Sequence, residues 1–137
     1  MTWKANVMVV ANKTADSPEL LEVLRARAAQ GPAEFVLVFP QTGTDHAGAV
    51  AALEHALERM RNAGLVATGV VCDHDPLVAV QEAWDPVRYD EVIVSTLPLA
   101  TSRWLRVDLP RRVANATGVS VTHVVASPGV LAAPVRS

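Results

Sequence analysis

Asn6-Val7-Met8-Val9-Val10-Ala11, followed by Asn12-Lys13-Thr14-Ala15-Asp16-Ser17-Pro18, is the stretch on which the fold turns. From Val7 the run is apolar without alternation and rich in β-branched side chains. An alternating strand shows one face to water, whereas an unbroken apolar one is covered on both. Ser17 is a strong helix N-cap, and Pro18 suits the first helical position, where a backbone N–H would go unpaired anyway. Leu20, Leu21, Leu24 and Ala28 follow at helical spacing until Gln30-Gly31-Pro32 stops them. A doubly covered strand feeding an amphipathic helix is the start of a βαβ unit.

The same alternation repeats along the chain. Residues 35–39 form a second apolar run, ended by Pro40. A polar loop, 41–46, leads to a helix over 47–63 whose stripe is Val50, Leu53, Leu57 and Met60 and whose stop is Gly64. Residues 65–72 read as a third strand, and Asp75-Pro76 repeats the cap-then-proline start for a helix over 77–84. Asp85-Pro86 interrupts that helix, and 91–95 is a fourth strand. After a loop over 96–108, a helix over 109–117 closes at Gly118, and 119–125 is a fifth strand. The order β-α-β-α-β-α-β-α-β predicts an α/β, Rossmann-like, doubly wound five-stranded parallel sheet with helices on both faces. The expected organisation is one domain over 1–137, with its core at about 5–126 and a loosely held tail at 127–137.

Composition narrows the function. Half of the 137 residues are apolar but only 4 % are aromatic, which suits a buried sheet and not a stacking platform for single-stranded nucleic acid. A net charge of −2 supplies no field to draw the chain to nucleic acid or an anionic membrane. No apolar run approaches the length of a membrane span, and Met1-Thr2-Trp3-Lys4 does not open a secretory leader. With Cys72 as the sole cysteine, a reducing cytoplasm is the expected compartment.

In open parallel sheets, ligands sit beyond the carboxyl ends of the strands, near the switch in strand order. The loops starting at Asn12, Pro40, Asp73, Ser95 and Ala126 therefore come first. The fourth loop is the richest. Ser95, Thr96, Ser102, Arg103 and Arg106 offer hydroxyls and guanidinium groups ahead of a helix start, a combination that can hold an anion. Asp108 opposes phosphate there, because its carboxylate occupies the positive end of that helix. Candidate ligand-binding residues are Asn12, Asp73, Ser95, Thr96, Ser102, Arg103, Arg106 and Asp108. Cys72-Asp73-His74-Asp75 reads as turn chemistry plus a cap, since adjacent residues on an extended stretch rarely converge on one metal ion. His55 falls on an exposed helix flank, His123 is a satisfied sheet residue, and Cys72 is a small buried one. No catalytic constellation and no metal site emerges: GxSxG, P-loop and GxGxxG patterns are absent.

Several blocks together resemble the universal stress protein family, in a divergent form. They are Val7-Met8-Val9-Val10, Phe35-Val36-Leu37-Val38, the block from Val70 to Val80, Tyr89-Asp90-Glu91-Val92-Ile93-Val94-Ser95, and the closing block from Arg111 to Val125. The resemblance spans about residues 5–126 and implies the strand order 3-2-1-4-5 and a homodimer paired through the last strand. Many members bind ATP through a signature of Gly, two residues, Gly, about nine residues, then Gly with Ser or Thr. Here Ser95 and Pro98 stand where the first two glycines would be, and Val107-Asp108 stands near the final pair. Asn12 lies where the family carries an acidic residue. Those glycines let backbone N–H groups approach phosphate, and Pro98 has no N–H to offer.

The expected function is thus a cytoplasmic, homodimeric stress or regulatory protein without catalysis, its nucleotide site degenerate or rebuilt. No cofactor is assigned; ATP or another adenine nucleotide is compatible with the fold, although the motif for it is missing. The alternative is a small hydrolase or transferase acting on a nucleotide or phosphate compound.

Overall fold

The computed structural model describes residues 4–41, 43–72, 75–98, 104 and 108–126. Among the described residues nine elements follow one another: β1 (Ala5–Val10), α1 (Pro18–Ala29), β2 (Ala33–Pro40), α2 (His46–Asn62), β3 (Val66–Cys72), α3 (Pro76–Ala83), β4 (Glu91–Thr96), α4 (Leu109–Thr117) and β5 (Val121–Val125). The strands form one sheet in the order β3-β2-β1-β4-β5, every neighbouring pair parallel. This is the expected doubly wound architecture.

Local chemistry sets the helix starts. Ser17 Oγ accepts the Leu20 N–H at 3.2 Å ahead of Pro18. Asp75 does the same for Leu77 and Val78 ahead of Pro76. Gly118, at φ 73°, closes α4 in the left-handed region where a Cβ would be strained.

The chain moves outward from β1 to β3, then returns across β1 to lay down β4 and β5. Right-handed crossovers in opposite directions place helices on opposite faces. Val7, Val9, Phe35, Leu37 and Ile93 accordingly pack against Leu20 and Leu24 of α1 and Leu53, Leu57 and Met60 of α2. Met8, Val10, Val38, Val92 and Val94 pack against Ala79 and Val80 of α3 and Leu109 and Val113 of α4. Successive residues of one strand thus serve two cores, which is why the central strands show no alternation.

The outer strands depart from the expected double cover. β3 exposes Val66 and Val70, and β5 exposes Thr122, His123 and Val125. An edge strand lies beyond the reach of the helices on one face, so an apolar run there does not guarantee burial on both. Cys72, read as buried, is half-buried at the end of β3 for the same reason. Among the described residues, no helix is long and apolar enough to cross a membrane.

Candidate functional site

The strand order reverses between β1 and β4, whose carboxyl ends lie side by side through the pairing of Val10 with Val94. Two loops leave the sheet there. The first is held by its own backbone: Ala15 N–H bonds Asn12 O, and Ser17 N–H bonds Thr14 O. This double turn carries Thr14 back over the sheet. Thr14 Oγ1 and Ser95 Oγ then share a hydrogen bond of 2.6 Å, with Thr14 2 % and Ser95 0 % exposed. The pair ties the loop after β1 to the carboxyl end of β4, at the crevice where ligands of such sheets enter.

Ser95 stands where the resemblance places the first glycine of a phosphate loop. Its hydroxyl is engaged by Thr14 and the residue is wholly buried. Asn12 is half-buried and braces the neighbouring loop, its Nδ2 donating to Pro40 O at 3.3 Å while its Oδ1 accepts the Lys13 N–H. Its side chain is thereby partly committed to holding two loop starts together.

A second polar pair lies one strand over. Thr96 Oγ1 and His123 Nε2 are 2.8 Å apart, bridging the carboxyl ends of β4 and β5. Thr96 is buried, and its carbonyl accepts the Ala126 N–H at 2.8 Å. Partial burial pushes the His123 imidazole below its ordinary range, favouring the neutral ring. His123 is satisfied by its neighbour, as expected. Its adjacency to a hydroxyl at a strand end is not visible in sequence, because it depends on the β4–β5 register.

Asp108 is at the start of α4, exposed, with left-handed backbone at φ 55° and ψ 51°. It makes no side-chain hydrogen bond to the helix. Asp108 thus stands at the helix start without capping it. A capping side chain needs an extended N-cap backbone, which this residue lacks. Its charge still stands beside the helix start.

Of the candidate residues, Asn12, Ser95 and Thr96 thus gather along the carboxyl edge of the sheet, and Asp108 opens α4. Asp73, Ser102, Arg103 and Arg106 lie outside the described residues. His55 is on the exposed flank of α2, 3.9 Å from Asp16. Among the described residues, no group of three or more His, Cys, Asp or Glu could hold a metal ion.

No family model matches the chain, and no curated protein matches it. Solved structures do. A universal stress protein in complex with cAMP is 22 % identical, with a TM-score of 0.64 over 93 % of this chain and all of that one. A universal stress protein from Archaeoglobus fulgidus in complex with dAMP is 15 % identical, with a TM-score of 0.64 over 90 % of this chain and 99 % of that one. A further universal stress protein structure from Archaeoglobus fulgidus is 18 % identical, with a TM-score of 0.60 over 89 % of this chain and 98 % of that one. The sheet order and the crossovers match the architecture that the sequence resemblance implies, and the chain has the fold of the universal stress proteins.

Proposed function

We propose that this chain is a cytoplasmic, single-domain regulatory or stress protein of the universal stress type, without catalysis. On this reading it pairs as a homodimer through β5, and its nucleotide site is rebuilt so that no glycine loop cradles a triphosphate. The observation that carries the reading is the Thr14–Ser95 hydrogen bond across the switch in strand order. It occupies with side chains a place where a phosphate loop needs bare backbone. Pro98 and the charge of Asp108 act in the same direction. Two structural neighbours are complexes with cAMP and dAMP. Adenine nucleotides with one phosphate make the smaller demand on a cradle, and they are the ligands to test first.

The experiment is a thermal-shift series with AMP, cAMP and ATP, alongside native mass spectrometry of the freshly purified protein. A ligand at about 100 times its Kd stabilises the native state by about 2.7 kcal/mol. AMP or cAMP should therefore raise the midpoint by several degrees, with ATP no better. A larger shift with ATP, or co-purified ATP, would overturn the rebuilt site. A flat response to all three would remove the nucleotide from this reading.

The Thr96–His123 pair favours a second reading, a small hydrolase or transferase. A hydroxyl bonded to a neutral imidazole is the pairing that nucleophilic catalysis uses. That chemistry also needs a third group to orient the ring, and none is seen among the described residues. Turnover of a phosphate compound that disappears in His123→Gln, with the fold intact, would establish it.

A further inference from the structure

Among the described residues, β3 is an edge strand, paired with β2 alone. Its seven residues, Val66-Ala67-Thr68-Gly69-Val70-Val71-Cys72, contain no charge and no proline. Charge, proline and bulges are the usual means by which an edge is kept from pairing with a foreign strand.

The register shows which backbone groups face outward. Cys72 O accepts the Gln41 N–H at 3.1 Å, so Cys72 directs its backbone groups toward β2. Alternate residues of a strand address opposite edges. Thr68 and Val70 therefore also serve β2, whereas Ala67, Gly69 and Val71 present their N–H and C=O groups outward. The side chains add to the hazard, because Val66 is 56 % and Val70 45 % exposed.

One outward group is taken. Arg61, in the last turn of α2, sends its Nε to the Ala67 carbonyl at 3.0 Å. The end of α2 does not need this contact. Ala63 N–H bonds the carbonyls of Arg59 and Met60, and the chain then turns at Gly64, φ 88°. Arg61 is exposed along its course. Its bond closes the first outward carbonyl of a strand that otherwise has no protection of its own, and it holds a positive charge there.

We propose that Arg61 guards the β3 edge, preventing β3 from pairing with β3 of a second copy. A two-fold β3–β3 ladder would call on the outward Ala67 carbonyl of each copy as an acceptor, and Arg61 already occupies it. The inference rests on the fold and on this contact, and is independent of any nucleotide.

The test compares wild type with Arg61→Met and Arg61→Ala by light scattering across a concentration series. Arg61→Met keeps the aliphatic stem and removes the donor and the charge. Thermal unfolding shows that each variant is folded. Both variants should form species at least twice the mass of the wild-type species at matched concentration. Adding Thr68→Lys, which puts a charge back on the exposed face of β3, should return the mass to the wild-type value. Folded Arg61→Met protein that keeps the wild-type mass at every concentration would overturn the proposal. So would growth that Thr68→Lys leaves unchanged, since the contact would then lie elsewhere.

Discussion

Replacing Ser95 by alanine strands the Thr14 hydroxyl in a place where water does not reach. Both residues are almost wholly buried and each is the other's side-chain partner at 2.6 Å. Losing one partner of a buried pair costs the desolvation of the other, about 1–3 kcal/mol. Thr14→Val, which keeps the shape and removes the hydroxyl, should cost a similar amount by the same argument. The double variant removes both polar groups and leaves no stranded one, so it should cost less than either single change. The expected coupling between the two sites is thus at least about 1–3 kcal/mol, measured by urea unfolding of all four proteins. The m-value should stay constant, because the surface exposed on unfolding does not change. Additive costs would refute the reasoning. They would mean that the hydroxyls are solvated or find other partners, and that the crevice between β1 and β4 is not closed by this bond. The rebuilt-site reading would lose its main support.

Two further outcomes follow from single residues. His123 titrates below the ordinary imidazole range because burial disfavours its charged form. The unfolded chain therefore binds more protons just below the ordinary value of 6.5, and the stability His123 contributes above it is lost as pH falls through the folded pKa. Thermal midpoints taken from about pH 7.5 down to 5.5 should fall more steeply for wild type than for His123→Gln; parallel curves would contradict the assignment. Gly69→Ala should destabilise by about 1–3 kcal/mol in chemical denaturation, as overpacking does. An added Cβ would sit 2.8 Å from Leu53 Cδ1 and 2.9 Å from the Leu37 carbonyl, and the latter is backbone that cannot step aside. A neutral outcome would show that β2 and β3 can part locally without cost.

Much of the fold is legible in short segments. Ser17-Pro18 and Asp75-Pro76 announce two helices, and both caps form as the residue chemistry requires. The uninterrupted apolar run of β1 reports a central strand because both neighbouring helical layers use it. The equally apolar β3 and β5 could not be recognised as edges, since periodicity carries no information about position in a sheet. Strand order is implied by the family resemblance and not by the pattern of any one strand. The site is less legible still. Thr14 and Ser95 are 81 residues apart and meet because the winding reverses between their strands. Asp108 looks like a cap by residue type, but its left-handed backbone denies it that role.

The helices on the two faces differ in length. α1 and α2 run for 12 and 17 residues, and α1 is also clamped to the sheet by a bidentate Arg27–Glu91 pair at 2.8 and 3.0 Å. α3 and α4 have only 8 and 9 residues. Short helices lean on few turns of hydrogen bonding and release first in local opening. Amide exchange should therefore divide the molecule into a slow half, the sheet with α1 and α2, and a fast layer of α3 and α4. That fast layer covers the face carrying Thr96 and His123, so a partner or ligand acting there meets the part of the protein that can be reshaped without melting the whole.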